Sequence, residues 1–409
     1  MNKSFVLFSM LFLLIVFQSG CSSSEQSLSD EYNAETDYPY MFHVQTSGAI
    51  ITTTENGYYI LNGNYIYYSD KQTMKPVILD NRPDHSCLIS KEKSEENCNA
   101  YVANVGPIHP KLLQYYKGKL FTSESRISKK DASSIFQLVQ LDLDGTNRKV
   151  IKTFPHAMLS GIAIHRGYIY YGATDYDVNS QRKYQVLRLP LDNLSQEPEV
   201  LYAGQFKKGT ILDITPYGSQ VYMLEFTDKG YRPLRYDLVT STLSSPWERT
   251  DDGFASIGSI NKNKLYFSYY YPTVKGSNAD LTDPRALRIY NSDLKGEHIQ
   301  ETDIKPSSII SIYYVDDRYS YVRPAWFQLD RAKNIPNEMT IYKNNVAIHN
   351  VDMTKFSSTQ QPFVGDDRYM FINEDSDDKK TYTMYILDKN EIETKKATFQ
   401  PFVESPMHF

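Results

Sequence analysis

Short apolar segments that alternate with polar turns run along most of the chain. A recurring motif places an apolar and aromatic strand directly after a polar or glycine turn, as at residues 119–122 (KLFT) and 168–171 (YIYY). Seven copies are present at spacings of 44 to 54 residues, and their central residues are Ile66, Leu120, Ile169, Val221, Leu265, Tyr319 and Tyr369. Repeats of this length are typical of the four-stranded blades of a β-propeller.

Further strands flank the motif and complete a four-stranded unit. Alternating segments follow it at 137–143, 185–191, 233–238, 286–290, 339–342 and 383–387. Apolar segments precede it at 160–164, 210–214, 256–260 and 309–313. A tight hairpin is predicted at Asp144 and Gly145, because glycine readily adopts the positive φ that such turns need. The pattern therefore predicts an all-β propeller of four-stranded antiparallel blades, seven in number, with six or eight blades as alternatives.

The composition agrees with a folded β protein. Tyrosine occurs 34 times, and it favours half-buried strands because its ring packs while its hydroxyl bonds to a neighbour. Charged residues make up 23% of the chain and hydrophobic residues 41%, which is the range of folded soluble domains. The net charge of -5 is mild, and lysine and arginine do not cluster with aromatic residues. A nucleic-acid partner is therefore not expected.

The N-terminus has the features of an export signal. Lys3 precedes an apolar segment, 5–17, whose length suits a signal peptide better than a bilayer span. Small residues before Cys21 and a polar run after it resemble the lipobox of bacterial lipoproteins, although Gln18 stands where that family usually has an aliphatic residue. The resemblance implies lipidation of Cys21 by acyl chains such as palmitate, and a protein anchored to the membrane on the extracytoplasmic side of the cell envelope. A plain secretory signal and a retained anchor helix are the alternatives.

Three regions follow from these patterns. Residues 1–20 are predicted to be a lipoprotein signal peptide. Residues 21–37 are predicted to be the lipidated cysteine and a flexible tether, because they are polar and too poor in apolar groups to form a core. Residues 38–409 are predicted to form a single propeller domain.

Two further cysteines remain in a chain that is predicted to be exported. Disulfides persist outside the cytoplasm, so Cys87 and Cys98 are expected to pair and to staple the polar loop 85–99. A zinc site formed by these two cysteines and His85 is the competing interpretation. It is the weaker one because a paired-cysteine motif is missing.

Two short motifs resemble the YWTD type of propeller blade, which is found in lipoprotein-receptor-like propellers. They are IYYSD at 66–70 and LDLDGTNR at 141–148. The likeness covers most of residues 46–400, but only the first copy keeps the aspartate, and the YWTD group has six blades rather than seven. A propeller of this kind closes when one terminus completes the blade that the other begins. The candidate closing segments are 38–44 and 399–403.

The long loops between the second and third strands of the blades should share one face, called here the loop face, because strand direction alternates. They are 123–134, 174–183, 272–285, 324–338 and 374–380. Loops on a rigid scaffold commonly carry binding sites, and aromatic and arginine residues are typical of binding hot spots. The ligand-face candidates are Tyr269, Tyr270, Tyr271, Asp280, Asp283, Arg285, Arg323, Trp326, Asp330 and Arg331. The alternative is that these loops only pack over the blades. The disulfide loop, assigned between a third and a fourth strand, should lie on the opposite face.

The sequence lacks the local motifs of common enzymes. It has no nucleophile elbow, zinc-protease helix, phosphate loop or dinucleotide fingerprint. The sequence DDR recurs at 316–318 and 366–368 and is interpreted as a turn, because aspartate is a standard turn residue. His156, Ser160 and His165 lie across a predicted innermost strand, which favours packing over nucleophilic catalysis. No catalytic residue, cofactor or metal is predicted.

These observations predict a lipid-anchored, monomeric binding module. It would recognise a protein, a peptide or a glycan of the envelope through one propeller face. The main alternative is an envelope hydrolase or lyase that acts on glycans or peptides, because propeller enzymes assemble their sites from scattered residues. A scaffold for envelope assembly is a third interpretation.

Overall fold

Strands account for nearly all regular structure in the described part of the chain. The computed structural model describes residues 29–40, 50–82, 87–88, 97–104, 110–128, 130, 133–176, 182–205, 210–227, 230–247, 254–270, 287–304, 310–324, 335–376 and 380–406. A short 3-10 turn spans Lys389–Glu391. None of the helical segments among these residues is long and apolar enough to cross a membrane.

Seven antiparallel sheets of four strands each follow one another along the chain and form a seven-bladed β-propeller. The first four blades are β1 (Ile51–Thr53), β2 (Gly57–Asn62), β3 (Tyr65–Asp70) and β4 (Pro76–Ile78); β5 (Leu113–Tyr116), β6 (Lys119–Ile127), β7 (Ser134–Asp142) and β8 (Lys149–Phe154); β9 (Met158–His165), β10 (Tyr168–Tyr176), β11 (Arg182–Pro190) and β12 (Glu199–Gln205); and β13 (Thr210–Tyr217), β14 (Gln220–Thr227), β15 (Gly230–Asp237) and β16 (Thr242–Ser244).

The last three blades have the same composition. They are β17 (Phe254–Asn261), β18 (Lys264–Tyr270), β19 (Leu287–Asp293) and β20 (Gln300–Glu301); β21 (Ile310–Val315), β22 (Ser320–Pro324), β23 (Glu338–Lys343) and β24 (Val346–Asp352); and β25 (Phe363–Val364), β26 (Tyr369–Asp375), β27 (Thr381–Asp388) and β28 (Gln400–Pro406). The predicted fold class and the count of seven blades are confirmed.

Each blade has two ends with different connections. Because neighbouring strands are antiparallel, the first-to-second and third-to-fourth turns lie at one end, called here the turn face. The second-to-third loops and the connections between blades lie at the other end, the loop face. Two tight turns on the turn face, Lys117–Gly118 and Arg166–Gly167, have positive φ at both residues, the geometry that two-residue hairpins favour. They set the ends of β5–β6 and β9–β10.

Tyrosine rings fill much of the space between blades. Tyr222 is 2% exposed, and its hydroxyl donates to the Leu294 carbonyl of the next blade at 2.6 Å. Tyr58 is 1% exposed, and its hydroxyl donates to Asp366 at 2.6 Å. A ring that packs and a hydroxyl that finds a partner make tyrosine suitable for these contacts, which accounts for its abundance.

The ring of blades closes differently from the prediction. The expectation that one terminus completes the blade of the other is wrong, because blades 1 and 7 are each continuous in sequence. Residues 400–403 belong to β28, whereas residues 38–40 lie outside the sheets; residues 41–44 fall outside the described part. Side chains join the two blades instead. The Asn62 amide donates to the carbonyls of Tyr382 at 3.0 Å and Val403 at 3.2 Å, and to Ser405 Oγ at 3.1 Å.

Two assignments in the first blade need correction. The first copy of the repeat motif lies on β3, the third strand, because Gly57–Asn62 supplies an additional strand before it. The predicted disulfide between Cys87 and Cys98 is present. It follows β4 on the connection to β5, rather than lying between a third and a fourth strand. By strand parity it therefore belongs to the loop face, not the opposite one.

The hydrogen bonds of Asn62 should stabilise the folded protein. Replacing Asn62 with alanine removes three hydrogen bonds across the seam between blades 1 and 7, so we expect a loss of about 1–3 kcal/mol in the free energy of unfolding. Asn81→Ala is the control, because that amide binds Asp144 at an exposed site and should change stability by less than about 0.5 kcal/mol. Urea unfolding measures both; equal effects would show that Asn62 does not hold the ring closed.

Candidate functional site

Residues 29–40, called here the strap, lie across the turn face. The Tyr38 hydroxyl accepts a hydrogen bond from the Thr53 amide of blade 1 at 3.0 Å. On the other side of the ring, the Asp30 carboxylate accepts one from the Gln220 amide of blade 4 at 2.9 Å. The strap therefore bridges turns of blades that lie far apart around the ring.

A buried ion pair fixes the centre of the strap. Asp37 is 5% and Arg166 6% exposed at their side chains, and two hydrogen bonds join them: Nε to Oδ1 at 2.6 Å and Nη2 to Oδ2 at 2.7 Å. The same guanidinium donates to the carbonyls of Ser29 at 2.6 Å and Glu31 at 2.7 Å. Burial alone would raise the pKa of Asp37, but the hydrogen bonds from Arg166 help to bring it below its usual value. Arg166 thus holds the first residues of the strap, Ser29 and Glu31, together with Asp37.

The strap changes the interpretation of the predicted tether. Residues 29–37 were expected to be flexible, but Thr36 and Asp37 are buried among the turns. The folded part therefore begins before Tyr38 and includes the strap from Ser29. The polar composition of this segment gave no sign that it docks on the domain, because an ion pair rather than an apolar face is its main contact.

Links between neighbouring turns and innermost strands run around the whole ring. The Gln114 amide bonds to the backbone of Ile164 in the next blade in both directions, at 2.6 and 2.9 Å. The other links join Tyr115 to Thr52, His165 to Gly218, Tyr217 to Lys262, Lys262 to Asp317, Arg318 to Asp367, and Tyr58 to Asp366. Each blade is thereby held to the next on the turn face, which gives the strap a rigid base.

The recurring DDR sequences form two of these turns. Asp366 Oδ1 accepts hydrogen bonds from the amides of Arg368 at 2.8 Å and Tyr369 at 3.0 Å, and Asp316 makes the equivalent pair. The second oxygen of Asp366 binds Lys71 at 3.2 Å. These aspartates therefore build turns, as the sequence indicated.

A cavity of about 510 Å³ opens between the strap and the turns of blades 1, 2 and 7. We call it the strap cavity. Five tyrosines line it: Tyr32, Tyr38, Tyr40, Tyr115 and Tyr116. Its charged lining consists of Glu35, Asp37, Glu55, Asp366, Asp367, Lys71, Lys117 and Arg368, so carboxylates outnumber cations. Aromatic faces combined with an excess of carboxylates suit a cationic group that stacks on tyrosine.

The carboxylates of the cavity differ in how far they are neutralised. Asp37 and Asp366 pair with Arg166 and Lys71. The Asp367 carboxylate, by contrast, accepts a long hydrogen bond of 3.4 Å from the Tyr40 hydroxyl and binds no cation among the described residues, since Arg318 binds the Asp367 backbone carbonyl instead. Glu55 is exposed in the β1–β2 turn, at the opening of the strap cavity. Among the cavity carboxylates that belong to the blades rather than to the strap, Asp367 and Glu55 are therefore the ones best placed to meet a ligand.

The predicted ligand-face residues occupy other positions. Arg323 is fully buried and donates to Asn337 Oδ1 at 2.7 Å and to the Ser357 carbonyl at 3.1 Å. Tyr269 is 1% exposed, and Tyr270 ends β18. The remaining predicted residues lie outside the described part of the chain: Cys21, Tyr271, Asp280, Asp283, Arg285, Trp326, Asp330 and Arg331. The ligand face thus stays a prediction, while the described Arg323 and Tyr269 side chains pack inside the domain.

A second cavity, of about 440 Å³, lies at the loop-face end of blades 2 and 3. His156 lines it together with Ser133 and Ser134. The His156 Nδ1 atom lies 2.6 Å from Asp175 Oδ2, so the carboxylate can orient the ring. His165, in contrast, is buried and bonds to the Gly218 carbonyl at 3.0 Å, which is a packing position.

Comparison with solved structures supports the fold. Prolyl oligopeptidase B from Galerina marginata matches with a TM-score of 0.55 and 10% identity, over 90% of this chain and 53% of that protein. The tricorn protease matches with a TM-score of 0.50 and 9% identity, over 92% of this chain but only 36% of that one. A chain of the nidogen/laminin complex is more distant, with a TM-score of 0.36, 14% identity and coverage of 65% and 82%.

This chain spans about a third of the tricorn protease and about half of the oligopeptidase. At such low identity the likeness shows a propeller fold and nothing about activity. No family model matches the sequence, and no curated protein matches it.

The ion pair predicts how the strap can be released. In Arg166→Met, an unpaired Asp37 would cost about 3–5 kcal/mol if it stayed buried, so we expect the strap to undock. Cleavage by a glutamyl endopeptidase at Glu31 and Glu35 should then become much faster. Lys343→Met is the control, because its partner Glu393 is exposed and the pair is worth at most about 1 kcal/mol. Equal cleavage in wild type and Arg166→Met would contradict the anchoring role.

The free energy of unfolding should depend on pH because of His165. Burial lowers the pKa of His165 to about 4, so the unfolded chain binds a proton near pH 6.5 while the folded chain does not. The contribution of neutral His165 to the free energy of unfolding should be complete above pH 6.5. It should decrease as the pH falls toward 4, by about 3 kcal/mol in total. His165→Gln should remove this part of the slope in urea unfolding between pH 7.5 and 4.5. An unchanged slope would exclude His165 as its source.

Proposed function

We propose that this protein is a lipid-anchored extracytoplasmic binding module that takes its ligand in the strap cavity. The observation that carries the proposal is the cavity itself, which combines five tyrosines with an excess of carboxylates. Its walls are the turns of the closed ring and a strap held by the Asp37–Arg166 pair. A preformed wall lowers the ordering cost of binding.

The chemistry of the cavity favours a peptide or protein segment with a lysine or arginine side chain. Tyrosine supplies large, rigid contact area at a low entropy cost, and its ring attracts a cation. The chain itself shows this contact, because Lys117 Nζ lies 5.6 Å from the Tyr116 ring centre. Asp367 and Glu55 would neutralise the ligand cation. A neutral glycan would also stack on tyrosine, but it would not use the carboxylate excess.

The sequence around Cys21 supports the membrane anchor. An apolar signal core, small residues and a cysteine stand in the order that lipoprotein processing requires. Mature Cys21 would then precede the strap by only a few residues. Replacing Cys21 with serine should move the protein from the membrane fraction to the soluble fraction and abolish labelling with a fatty acid, whereas Cys87→Ser should keep the label. Membrane retention of the Cys21→Ser protein would contradict lipid anchoring.

A hydrolase is the second candidate, because of the His156–Asp175 pair beside the loop-face cavity. A histidine oriented by a carboxylate is the usual arrangement of a general base. Screening for turnover of peptide and glycan substrates with wild type and His156→Ala tests this candidate. Turnover that depends on His156 would establish it, and a complete lack of turnover would leave the binding module.

The strap cavity predicts charge-dependent binding. A fluorescent lysine- and arginine-containing peptide should bind, and a matched peptide with glutamate in the cationic positions should not. Asp367→Asn and Glu55→Gln should each weaken binding about three- to tenfold, since a charge-assisted hydrogen bond contributes roughly 1 kcal/mol or more. Fluorescence anisotropy at low and physiological salt gives both affinities.

Asp317→Asn is the matched control. It lies in the next turn on the same face and pairs with the exposed Lys262, but it does not line the cavity. It should leave peptide affinity unchanged. Equal loss in all three variants would indicate only a general electrostatic effect, and equal binding of both peptides would contradict a cation-selective cavity.

A further inference from the structure

We propose that the strap fixes the orientation of the propeller on the membrane, with the turn face and its strap cavity toward the bilayer and the loop face away from it. This inference rests on the proposed lipidation of Cys21. The lipid alone would hold the protein at the membrane in any orientation. The contacts of the strap are a separate observation, because they determine which face of the domain is joined to the anchored chain.

The strap reaches the domain on the turn face. Ser29 is its first described residue, and its carbonyl accepts a hydrogen bond from Arg166 at 2.6 Å. The next residue, Asp30, binds Ser219 and Gln220 in the first turn of blade 4. Both contacts belong to first-to-second turns, so the chain that leads to the lipid departs from the turn face and not from the rim or the loop face.

The length of the intervening chain limits the orientation. Even a fully extended chain covers no more than about 3.6 Å per residue, so Ser29 lies within about 29 Å of Cys21. The lipidated cysteine itself sits at the membrane surface. The docking point on the turn face is therefore held within about 29 Å of the bilayer.

The thickness of the domain excludes the opposite orientation. The longer strands, such as β6 with nine residues and β9 with eight, span about 26–30 Å at about 3.3 Å per residue. To bring the loop face against the bilayer, the connecting chain would have to run from the docking point to the rim and then along the full height of a blade. The thickness alone uses nearly all of the available length, and the path to the rim brings the total above it.

This orientation gives the two faces different access. The strap cavity would receive ligands that approach from the membrane side, such as a cationic segment of another membrane protein close to its bilayer anchor. The loop face, with the disulfide between Cys87 and Cys98 and the cavity beside His156, would face the surroundings. The two candidate functions therefore correspond to opposite directions of approach.

Energy transfer from single-cysteine probes tests the orientation. The lipidated protein is extracted in detergent and inserted into phosphatidylcholine vesicles that carry an acceptor dye on the headgroups. Donors are placed at Asn56→Cys, which is exposed in the β1–β2 turn, or at Lys130→Cys, which is exposed between β6 and β7. The native Cys87 and Cys98 are paired and do not compete for the dye.

We expect about a twofold higher transfer efficiency from position 56 than from position 130, because the two faces lie about 30 Å apart. Inserting twelve glycine and serine residues after Ser24 should remove most of the difference, since the longer chain no longer restricts the domain. Equal or reversed efficiencies with the native chain length would overturn the orientation even though the protein is anchored. The Cys21→Ser protein should not float with the vesicles. If the protein with the native Cys21 also fails to float, the lipid anchor itself is overturned.

Discussion

The buried pair of Asp37 and Arg166 is the interaction on which the docking of the strap, and with it the strap cavity, depends. A buried ion pair is useful only when its hydrogen bonds are satisfied, and here the guanidinium also binds two carbonyls of the strap. Arg166 stands in a two-residue turn with positive φ, so the backbone directs it to this face. A charged side chain in a blade turn thereby converts a polar N-terminal segment into part of the domain.

The ring of turns supplies the rigid base that the pair requires. Propeller blades pack face to face through tyrosine and aliphatic side chains, while polar side chains on the turn face connect each blade to the next. Closure needs no exchanged strand, because Asn62 and the contacts to Asp366 join the last blade to the first. The strap then crosses an already closed ring and leaves the strap cavity on one side of it.

The repeating part of the structure could be predicted from the sequence, whereas the strap and its cavity could not. The alternation of apolar residues located the strands and the blade count, because every blade obeys the same period. Blade 1 was misread by one strand, since its second strand, Gly57–Asn62, is itself apolar and aromatic. The strap was missed because Asp37 and Arg166 lie 129 positions apart, and a pairing between distant charges leaves no local pattern. Arg323 resembled a ligand residue because the sequence does not reveal its buried partners.

Hydrogen exchange along residues 29–40 of the unmodified protein shows whether the strap is docked on the turn face. The amides of Thr36 and Asp37 donate to the Asn33 carbonyl at 3.1 and 2.8 Å, and the surrounding ion pair holds this turn against the ring. We expect these amides to exchange far more slowly than those of an unstructured chain, and peptides from the first-to-second turns to be protected with them. Exchange of residues 29–40 at the rate of a free chain, with the blades fully protected, would contradict a docked strap.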